Sequence, residues 1–305
     1  MNELTEAKAL LAERKALAER TYEEKLNELK KDPVFDEAYR RLARLKFEIA
    51  RREVYGLEKS DLEKEKEEAE KTVEKYFAEK GAKADGADYF CKKCNDTGYV
   101  GGKRCSCLEK LRVETALKNN PSLSSVPACL ENIDFGFYGK NGDLYKKYAA
   151  FLHKKVVDGE IRYCTILGAS GTGKTYLAAT AAREALEKGR SASVVKSVVL
   201  NKIFLNYHCA PLEKKEEIWA KITDPDFLVV DDLGVESLLN NVTIQYLYEL
   251  ITERADKKTV ITTNFDLKKL EDRYGQRIFS RLADKRLGAM ILTQGEDYRL
   301  TDGKI

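Results

Sequence analysis

The sequence has little net charge, no long apolar run, and few glycine or proline residues near its N-terminus. No apolar run approaches the ~18 residues that cross a membrane, and the first residues lack the basic and apolar regions of a signal peptide. We therefore expect a cytoplasmic protein with no membrane partner. The net charge is +3, which is too small for bulk electrostatics to hold nucleic acid, so any such binding requires a local patch.

Residues 1–88 are rich in charged side chains and have the pattern of helices. Apolar side chains recur at helical spacing in two narrow stripes, which Asp32-Pro33 separates. Ser60 and Glu63 then form the S-x-x-E pattern of a capping box, which predicts the start of a third helix. Such stripes are typical of a helical hairpin, a small bundle or a coiled coil with a partner. The region carries no catalytic grouping, so we expect it to bind another protein rather than serve only as solvated helices.

Seven cysteines are present, and four of them lie within seventeen residues. A Gly101-Gly102 turn between two cysteine pairs predicts a β-hairpin, which would return the second pair to the first. Four thiolates could then surround one tetrahedral Zn2+ ion, and the predicted ligands are Cys91, Cys94, Cys105 and Cys107. A redox dithiol pair and four unliganded thiols are the competing interpretations. We expect residues 89–118 to form a zinc-binding module whose closed site has no catalytic role.

Residues 168–175 read G-A-S-G-T-G-K-T, which fits the phosphate-binding loop (P-loop) pattern at every required position. A buried strand is predicted just before the loop, over 163–167, and a helix just after it, over 176–187. In that setting the backbone N–H groups of the loop face the phosphates of ATP or GTP. Lys174 would reach the β- and γ-phosphates, and Thr175 would bind Mg2+. The other predicted phosphate contacts are Gly168, Ser170, Gly171, Thr172 and Gly173.

The chain after residue 127 alternates apolar strands with helices, which predicts an α/β domain with a mainly parallel sheet over 128–305. Residues 119–127 are predicted to be the linker that precedes it. One strand, over 227–230, ends in Asp231 and Asp232. We expect Asp231 to hold Mg2+ and Asp232 to orient or deprotonate the attacking water, with nearby Glu236 as a rival base.

Four motifs in order give a family resemblance: the P-loop, V-V-D-D-L-G at 229–234, I-T-T-N at 261–264, and R-I-F-S-R-L at 277–282. Together they resemble the AAA+ ATPases of the bacterial replicative helicase loader group, the DnaC/DnaI type within the IstB-like ATP-binding family. The resemblance covers roughly residues 130 to 300. The cysteine cluster and the helices before it resemble the zinc-bearing, helicase-binding front half of the DnaI-like branch.

The resemblance implies further roles for individual residues. Asn264 matches the sensor that bonds the γ-phosphate or the attacking water. Arg281 matches the arginine finger, which acts on ATP in a neighbouring subunit, and Arg277 is the alternative. Arg299 matches the second sensor arginine. Asp232 stands where many AAA+ enzymes carry glutamate, and this shorter side chain implies slow hydrolysis.

The function that the resemblance implies is that of an ATP-switched helicase loader. The N-terminal region would grip a hexameric replicative DNA helicase, while the ATP-bound domains would form a homo-oligomer and contact single-stranded DNA. Local candidates for that DNA contact are Lys196, Lys202 and Tyr207, although such residues are also common on ordinary surfaces. The alternatives are a transposition helper ATPase of the IstB type and a scaffold that binds ATP without turnover.

Overall fold

The computed structural model describes residues 3–81, 83–84, 86–284, 286–298 and 300. The chain divides into two compact units, Met1–Arg112 and Val113–Ile305. Each unit has its own hydrophobic core. None of the described helices combines the length and the apolar character that crossing a membrane would need.

The first unit begins with three helices, as predicted: α1 (Glu3–Leu29), α2 (Pro33–Val54) and α3 (Ser60–Glu79). Asp32 caps α2, because its carboxylate accepts from the N–H groups at the start of the helix, where Pro33 needs no partner. Aromatic rings pack together within the core of this unit. The Phe77 ring lies 5.8 Å from the Phe35 ring, edge-on, and is stacked 5.6 Å from the ring of Tyr22.

The third helix starts at Ser60 as predicted, but the capping box does not form. Lys59 occupies the cap position, and its side chain makes no capping hydrogen bond to the backbone of the helix. The Ser60 hydroxyl instead donates to the Glu58 carboxylate at 3.1 Å. A short polar side chain at a helix start has several nearby acceptors, so the sequence pattern alone did not fix which one it uses.

A small hairpin follows in the same unit. Strands β1 (Tyr99–Val100) and β2 (Lys103–Arg104) pair antiparallel, with Val100 opposite Lys103 across the Gly101-Gly102 turn, as predicted. The Cys105 N–H donates to the Gly98 carbonyl at 2.8 Å, which continues the pairing toward the second cysteine pair. Helix α4 (Ser106–Asn119) begins directly afterwards.

The second unit is an α/β domain with helices on both faces of a five-stranded parallel sheet. Its elements in chain order are α5 (Pro121–Ser124), α6 (Gly142–Phe151), β3 (Tyr163–Leu167), α7 (Lys174–Glu187), β4 (Ala192–Lys196), α8 (Ser197–Cys209), α9 (Leu212–Thr223), β5 (Phe227–Leu233), α10 (Thr243–Glu253), β6 (Lys258–Thr263), α11 (Leu267–Tyr274), α12 (Gln276–Leu282) and β7 (Gly288–Leu292). The strand order is β4-β5-β6-β3-β7. The predicted parallel sheet is confirmed.

Strand β3 is buried along its whole length because both faces of the sheet are covered. Cys164 and Ile166 pack into the core cluster that includes α7 side chains, whereas Tyr163 and Leu167 pack into the cluster on the other face. The carboxyl ends of β5, β6 and β3 consequently lie side by side at one edge of the sheet, which is where parallel α/β folds place their ligand sites.

The stretch predicted as a linker, 119–127, packs onto the second unit. It contains α5, with Pro121 in the first turn, and Leu123 of this helix is fully buried in the core. The Asn120 side chain donates to the Val194 carbonyl at 3.1 Å. Small polar residues and proline suggested an open connection, whereas one buried leucine ties the segment down.

Candidate functional site

The P-loop connects β3 to α7, and its shape depends on glycine. Gly173 caps α7 with φ at 81°, in the left-handed region that favours glycine. Gly168 makes a close approach, since a Cβ there would lie 2.2 Å from the Thr293 hydroxyl oxygen. The loop leads directly into the N-terminus of α7, and the N–H groups at a helix N-terminus bind anions.

Lys174 is buried and its ammonium group is held inside the site. Its Nζ donates to the carbonyl oxygens of Gly168 and Ala169 at 2.9 and 2.6 Å, and to Asn264 Oδ1 at 2.8 Å. Asn264 reaches this position because it directly follows β6, the neighbour of β3. The structure thus brings together the predicted phosphate-binding lysine and the predicted sensor.

Asp231 lies at the same edge of the sheet, and one of its carboxylate oxygens accepts two hydrogen bonds. Thr175 and Thr262 both donate their hydroxyls to Asp231 Oδ1, each at 2.7 Å. Asp231 is 2% exposed, so its carboxylate is fixed in place. A threonine hydroxyl beside a carboxylate is a hard oxygen donor set that fits Mg2+.

Asp232 differs from Asp231 because the backbone turns at this position. The pairing of β5 with β6 shifts register between Val230 and Leu233, as in a β-bulge, and Asp232 has φ at 55°. Its N–H donates to the Thr262 hydroxyl at 2.9 Å, and its carbonyl accepts from the Ser197 hydroxyl at 2.7 Å. The two adjacent aspartates therefore have different surroundings: Asp231 is buried beside Thr175, whereas Asp232 is partly exposed.

Glu236, the rival base, is buried and internally bonded. Its carboxylate accepts from the Gly234 N–H at 2.9 Å and from the Tyr274 hydroxyl, and it lies 3.7 Å from an Arg273 nitrogen. Burial, followed by the Glu236 carboxylate, raises the pKa of Tyr274. These bonds anchor the loop after β5 to α11, and they occupy the Glu236 carboxylate.

The predicted arginine finger, Arg281, makes its contacts away from this group. Among the contacts of the described residues, none joins Arg281 to Lys174, Asp231 or Asn264. Arg281 lies on α12, where its guanidinium contacts Tyr248 of α10. The second predicted sensor, Arg299, falls outside the described residues.

Several residues that grip the P-loop were missed by sequence reasoning. The Tyr145 hydroxyl donates to the Thr172 carbonyl, and Thr172 shares a 2.8 Å hydroxyl contact with Thr293. The Tyr298 N–H donates to the Gly171 carbonyl at 3.1 Å, while its hydroxyl accepts from Asn141 at 2.9 Å. For Tyr145 the signal was the density of aromatic residues between 135 and 148, which no motif connects to a phosphate loop.

The four clustered cysteines of the first unit converge as predicted. The sulfurs of Cys91 and Cys105 lie 3.7 Å apart, those of Cys94 and Cys107 lie 3.4 Å apart, and all four fall within 4.8 Å of one another. Zn–S bonds of ~2.3 Å in a tetrahedron place sulfurs about 3.8 Å apart. A disulfide would need ~2.05 Å. The donor set and its spacing therefore fit zinc.

Backbone N–H groups favour a thiolate at Cys91 and point at the sulfur of Cys94. Asp96 accepts from the N–H groups of Phe90 and Cys91, both at 2.8 Å, and the Gly98 N–H points at the Cys94 sulfur at 3.4 Å. Burial opposes ionisation of the Cys91 thiol, but the N–H groups of Cys94 and Lys93 outweigh it and lower the pKa of Cys91 to about 7.

The strand order, the P-loop and the acidic strand end together define an AAA+ P-loop nucleoside triphosphatase fold. The family model for the IstB-like ATP binding protein matches residues 109–304. The chain belongs to this family, and the predicted resemblance is confirmed.

Individual relatives are more distant. The chain is 24% identical over 207 residues to the replicative helicase loader DnaC of Escherichia coli (strain K12), which covers 65% of this chain and 82% of DnaC. It is 27% identical over 144 residues to an ATP-binding protein of insertion sequence IS5376 from Geobacillus stearothermophilus, covering 46% and 56%. A crystal structure of DnaI gives a TM-score of 0.42 at 22% identity, covering 59% of this chain and 93% of that one.

The shared oxygen of Asp231 gives a test of the Mg2+ assignment. Thr175→Ala should remove a metal ligand, so Mg2+ would no longer tighten the binding of a fluorescent ATP analogue. Thr262→Val is the control, because it removes a bond of the same length to Asp231, together with the acceptor of the Asp232 N–H, but no predicted ligand. We expect it to keep most of the Mg2+ effect. Titrations with Mg2+ and with EDTA measure both, and equal loss in the two variants would contradict the assignment.

Proposed function

We propose that this protein is an ATPase that loads a replicative DNA helicase. The observation that carries the ATPase part is the meeting of Lys174, Thr175, Asp231 and Asn264 at one edge of the sheet. A phosphate-binding cation, a metal-type oxygen pair and a sensor amide are the groups that phosphoryl transfer needs. The similarity to DnaC over 82% of that protein's length supports the loading part.

Each residue of the site would have a separate role in ATP binding or hydrolysis. Lys174 would exchange its bonds to the Gly168 and Ala169 carbonyls for bonds to phosphate oxygens, and the N–H groups of the loop would bind the same phosphates. Thr175 and Asp231 would hold Mg2+, which neutralises charge on the β- and γ-phosphates. Asn264 would orient the attacking water, and Asp232 would accept its proton.

A cation for the transition state would come from a second copy of the chain. Arg281 makes its described contacts within α10 and α12 rather than with the P-loop. We propose that it acts on ATP bound to a neighbouring subunit, so that turnover depends on formation of a homo-oligomer.

Removal of either cation should abolish turnover for different reasons. We expect Lys174→Ala to lose ATP binding, and Arg281→Ala to bind ATP normally but hydrolyse it at least about a hundredfold more slowly, since arginine fingers contribute ~10³ or more. Arg277→Ala tests the alternative finger on the same helix, and we expect this variant to keep most of the turnover. Steady-state ATPase rates and ATP affinities measure these effects. If the wild type and both variants match a buffer blank, the protein is an ATP-binding scaffold without turnover.

The helicase would be bound by the first unit, which exposes an apolar patch around the end of α2. The patch consists of Phe47, Val54, Tyr55 and Leu57, which are 72%, 81%, 71% and 60% exposed. Large apolar side chains grouped on a surface are typical of partner contacts. The proposed partner is a hexameric replicative DNA helicase.

A double substitution tests this contact. Phe47→Ser with Val54→Ser should weaken capture of a purified hexameric helicase at least about tenfold, because buried apolar anchors supply most interface energy. Leu212→Ser is the control, since Leu212 is 83% exposed but lies in the second unit. Complex mass measured in ATP and in ADP is the readout. Unchanged capture by the double variant would contradict the assignment of the patch.

The cysteine cluster would hold one structural Zn2+ ion that keeps the hairpin and the start of α4 together. Elemental analysis should find about one zinc per chain. Cys107→Ser should lose the metal and loosen the first unit, whereas Cys209→Ser should retain it, because Cys209 lies on α8, outside the cluster. Retention of zinc by the Cys107 variant would contradict this ligand set.

Single-stranded DNA would contact the exposed residues Lys196 and Lys202. Lys196 ends β4 in register with Asp231, close to the nucleotide site, and no ion pair in the described part of the chain involves either lysine. Tyr207 is less suited to base stacking, because its ring already packs 4.8 Å from Trp219 and edge-on to Tyr246. Salt-dependent oligo(dT) binding should fall in a Lys196→Ala, Lys202→Ala variant.

A transposition helper is the second candidate function. It is favoured by the family description and by the similarity to the ATP-binding protein of an insertion sequence. Both functions would use the same ATPase domain, so the partner that the first unit binds would distinguish them. Stable binding to a transposase in place of a helicase would favour the second candidate.

A further inference from the structure

Tyr248 of α10 makes two kinds of contact with the guanidinium of Arg281. The centre of the guanidinium lies 4.3 Å from the centroid of the tyrosine ring, and Nη2 donates to the tyrosine hydroxyl at 2.8 Å. Nη1 donates to the Arg277 carbonyl at 3.1 Å, one turn back on α12. The side chain is therefore fixed at three points although it lies at the surface of α12.

The groups that hold Arg281 are uncharged. The nearby carboxylate of Asp284 is used by Arg286, whose side chain bonds it at 2.8 and 3.1 Å and lowers the pKa of Asp284 to about 2. No salt bridge among the described residues includes Arg281. A carboxylate partner would compete with a phosphate for the guanidinium, whereas a phenol and a carbonyl leave its full charge available.

The guanidinium also faces open space. Arg281 lines a surface cleft of about 620 Å³, together with Thr252, Ser280 and Arg286. The contacts with Tyr248 and Arg277 use only part of the guanidinium's N–H groups, so others remain for an incoming anion.

We propose that Tyr248 is a positioning residue, which fixes Arg281 in the orientation that reaches ATP bound to a second copy of this chain. The inference rests on the proposed action of Arg281 on a neighbouring subunit. An arginine side chain has many rotamers, and holding one of them before the subunits meet lowers the cost of reaching the transition state. Tyr248 would therefore affect the rate of hydrolysis and not the affinity for ATP.

Mixed oligomers separate this role from a merely structural one. Lys174→Ala subunits cannot bind ATP but can donate Arg281, while Arg281→Ala subunits can bind ATP but have no finger to donate. An equimolar mixture should recover activity that neither variant has alone. Tyr248→Ala is then added either to the donor or to the acceptor.

We expect Tyr248→Ala in the donor to lower kcat of the mixture about tenfold with KM for ATP unchanged. The same change in the acceptor, which has no Arg281 to hold, should cost less than about twofold. Tyr248→Phe in the donor keeps the ring and loses the hydrogen bond, so it should fall between these values. This milder variant also serves if the alanine variant does not fold.

Each outcome has a separate meaning. If the mixture recovers activity but Tyr248→Ala in the donor leaves kcat unchanged, the role of Tyr248 is overturned while the proposed action of Arg281 stands. Equal losses in donor and acceptor would show a structural role and also overturn it. If the mixture stays inactive while the wild type hydrolyses ATP, the action of Arg281 between subunits fails, and the inference fails with it.

Discussion

The nucleotide site depends on one buried oxygen atom, Asp231 Oδ1, which accepts hydroxyl bonds from Thr175 and Thr262. These residues belong to α7, β5 and β6, so a single carboxylate ties the loop-bearing helix to two strands. A buried carboxylate that lost its donors would be costly, by about 1–3 kcal/mol for each unsatisfied bond. The relative positions of the phosphate loop and the acidic strand end are therefore fixed before any ligand arrives.

Hydrogen bonds hold the P-loop both from inside the site and from outside it. Inside, Lys174 binds the loop's own carbonyls and Asn264. Outside, Tyr145 and Tyr298 bind the carbonyls of Thr172 and Gly171. Binding of phosphate would then change the partners of one ammonium group and leave the rest of the loop as it is. Exchange of one set of oxygen partners for another costs little, which is how a preorganised site keeps its geometry.

Local sequence predicted those parts of the fold that depend on neighbouring residues. The strands of the sheet are short apolar runs, and the loop and acid motifs carry their own spacing, so each could be recognised without knowledge of the rest. The Gly101-Gly102 turn fixed the hairpin register in the same way. Roles that depend on partners far away in the sequence were not predictable. Tyr298 bonds Asn141, and the Glu236 carboxylate is occupied by Tyr274 and Arg273 of α11 as well as by the nearby Gly234 N–H. The capping pattern at Ser60 failed because a nearby carboxylate competed for the hydroxyl.

The proposed supply of Arg281 by a second subunit would make ATP hydrolysis slow in a single chain. That chain supplies the cation for the phosphates, the metal-type oxygens and the sensor amide at one edge of the sheet. The guanidinium of Arg281 is held by the uncharged side chain of Tyr248 and by the Arg277 carbonyl, and these contacts do not neutralise its positive charge. Transition-state charge on a transferred phosphoryl group needs stabilisation that ground-state binding does not. If Arg281 acts on a neighbouring subunit as proposed, one chain would bind ATP alone but would hydrolyse it well only beside a second copy, so hydrolysis would report assembly.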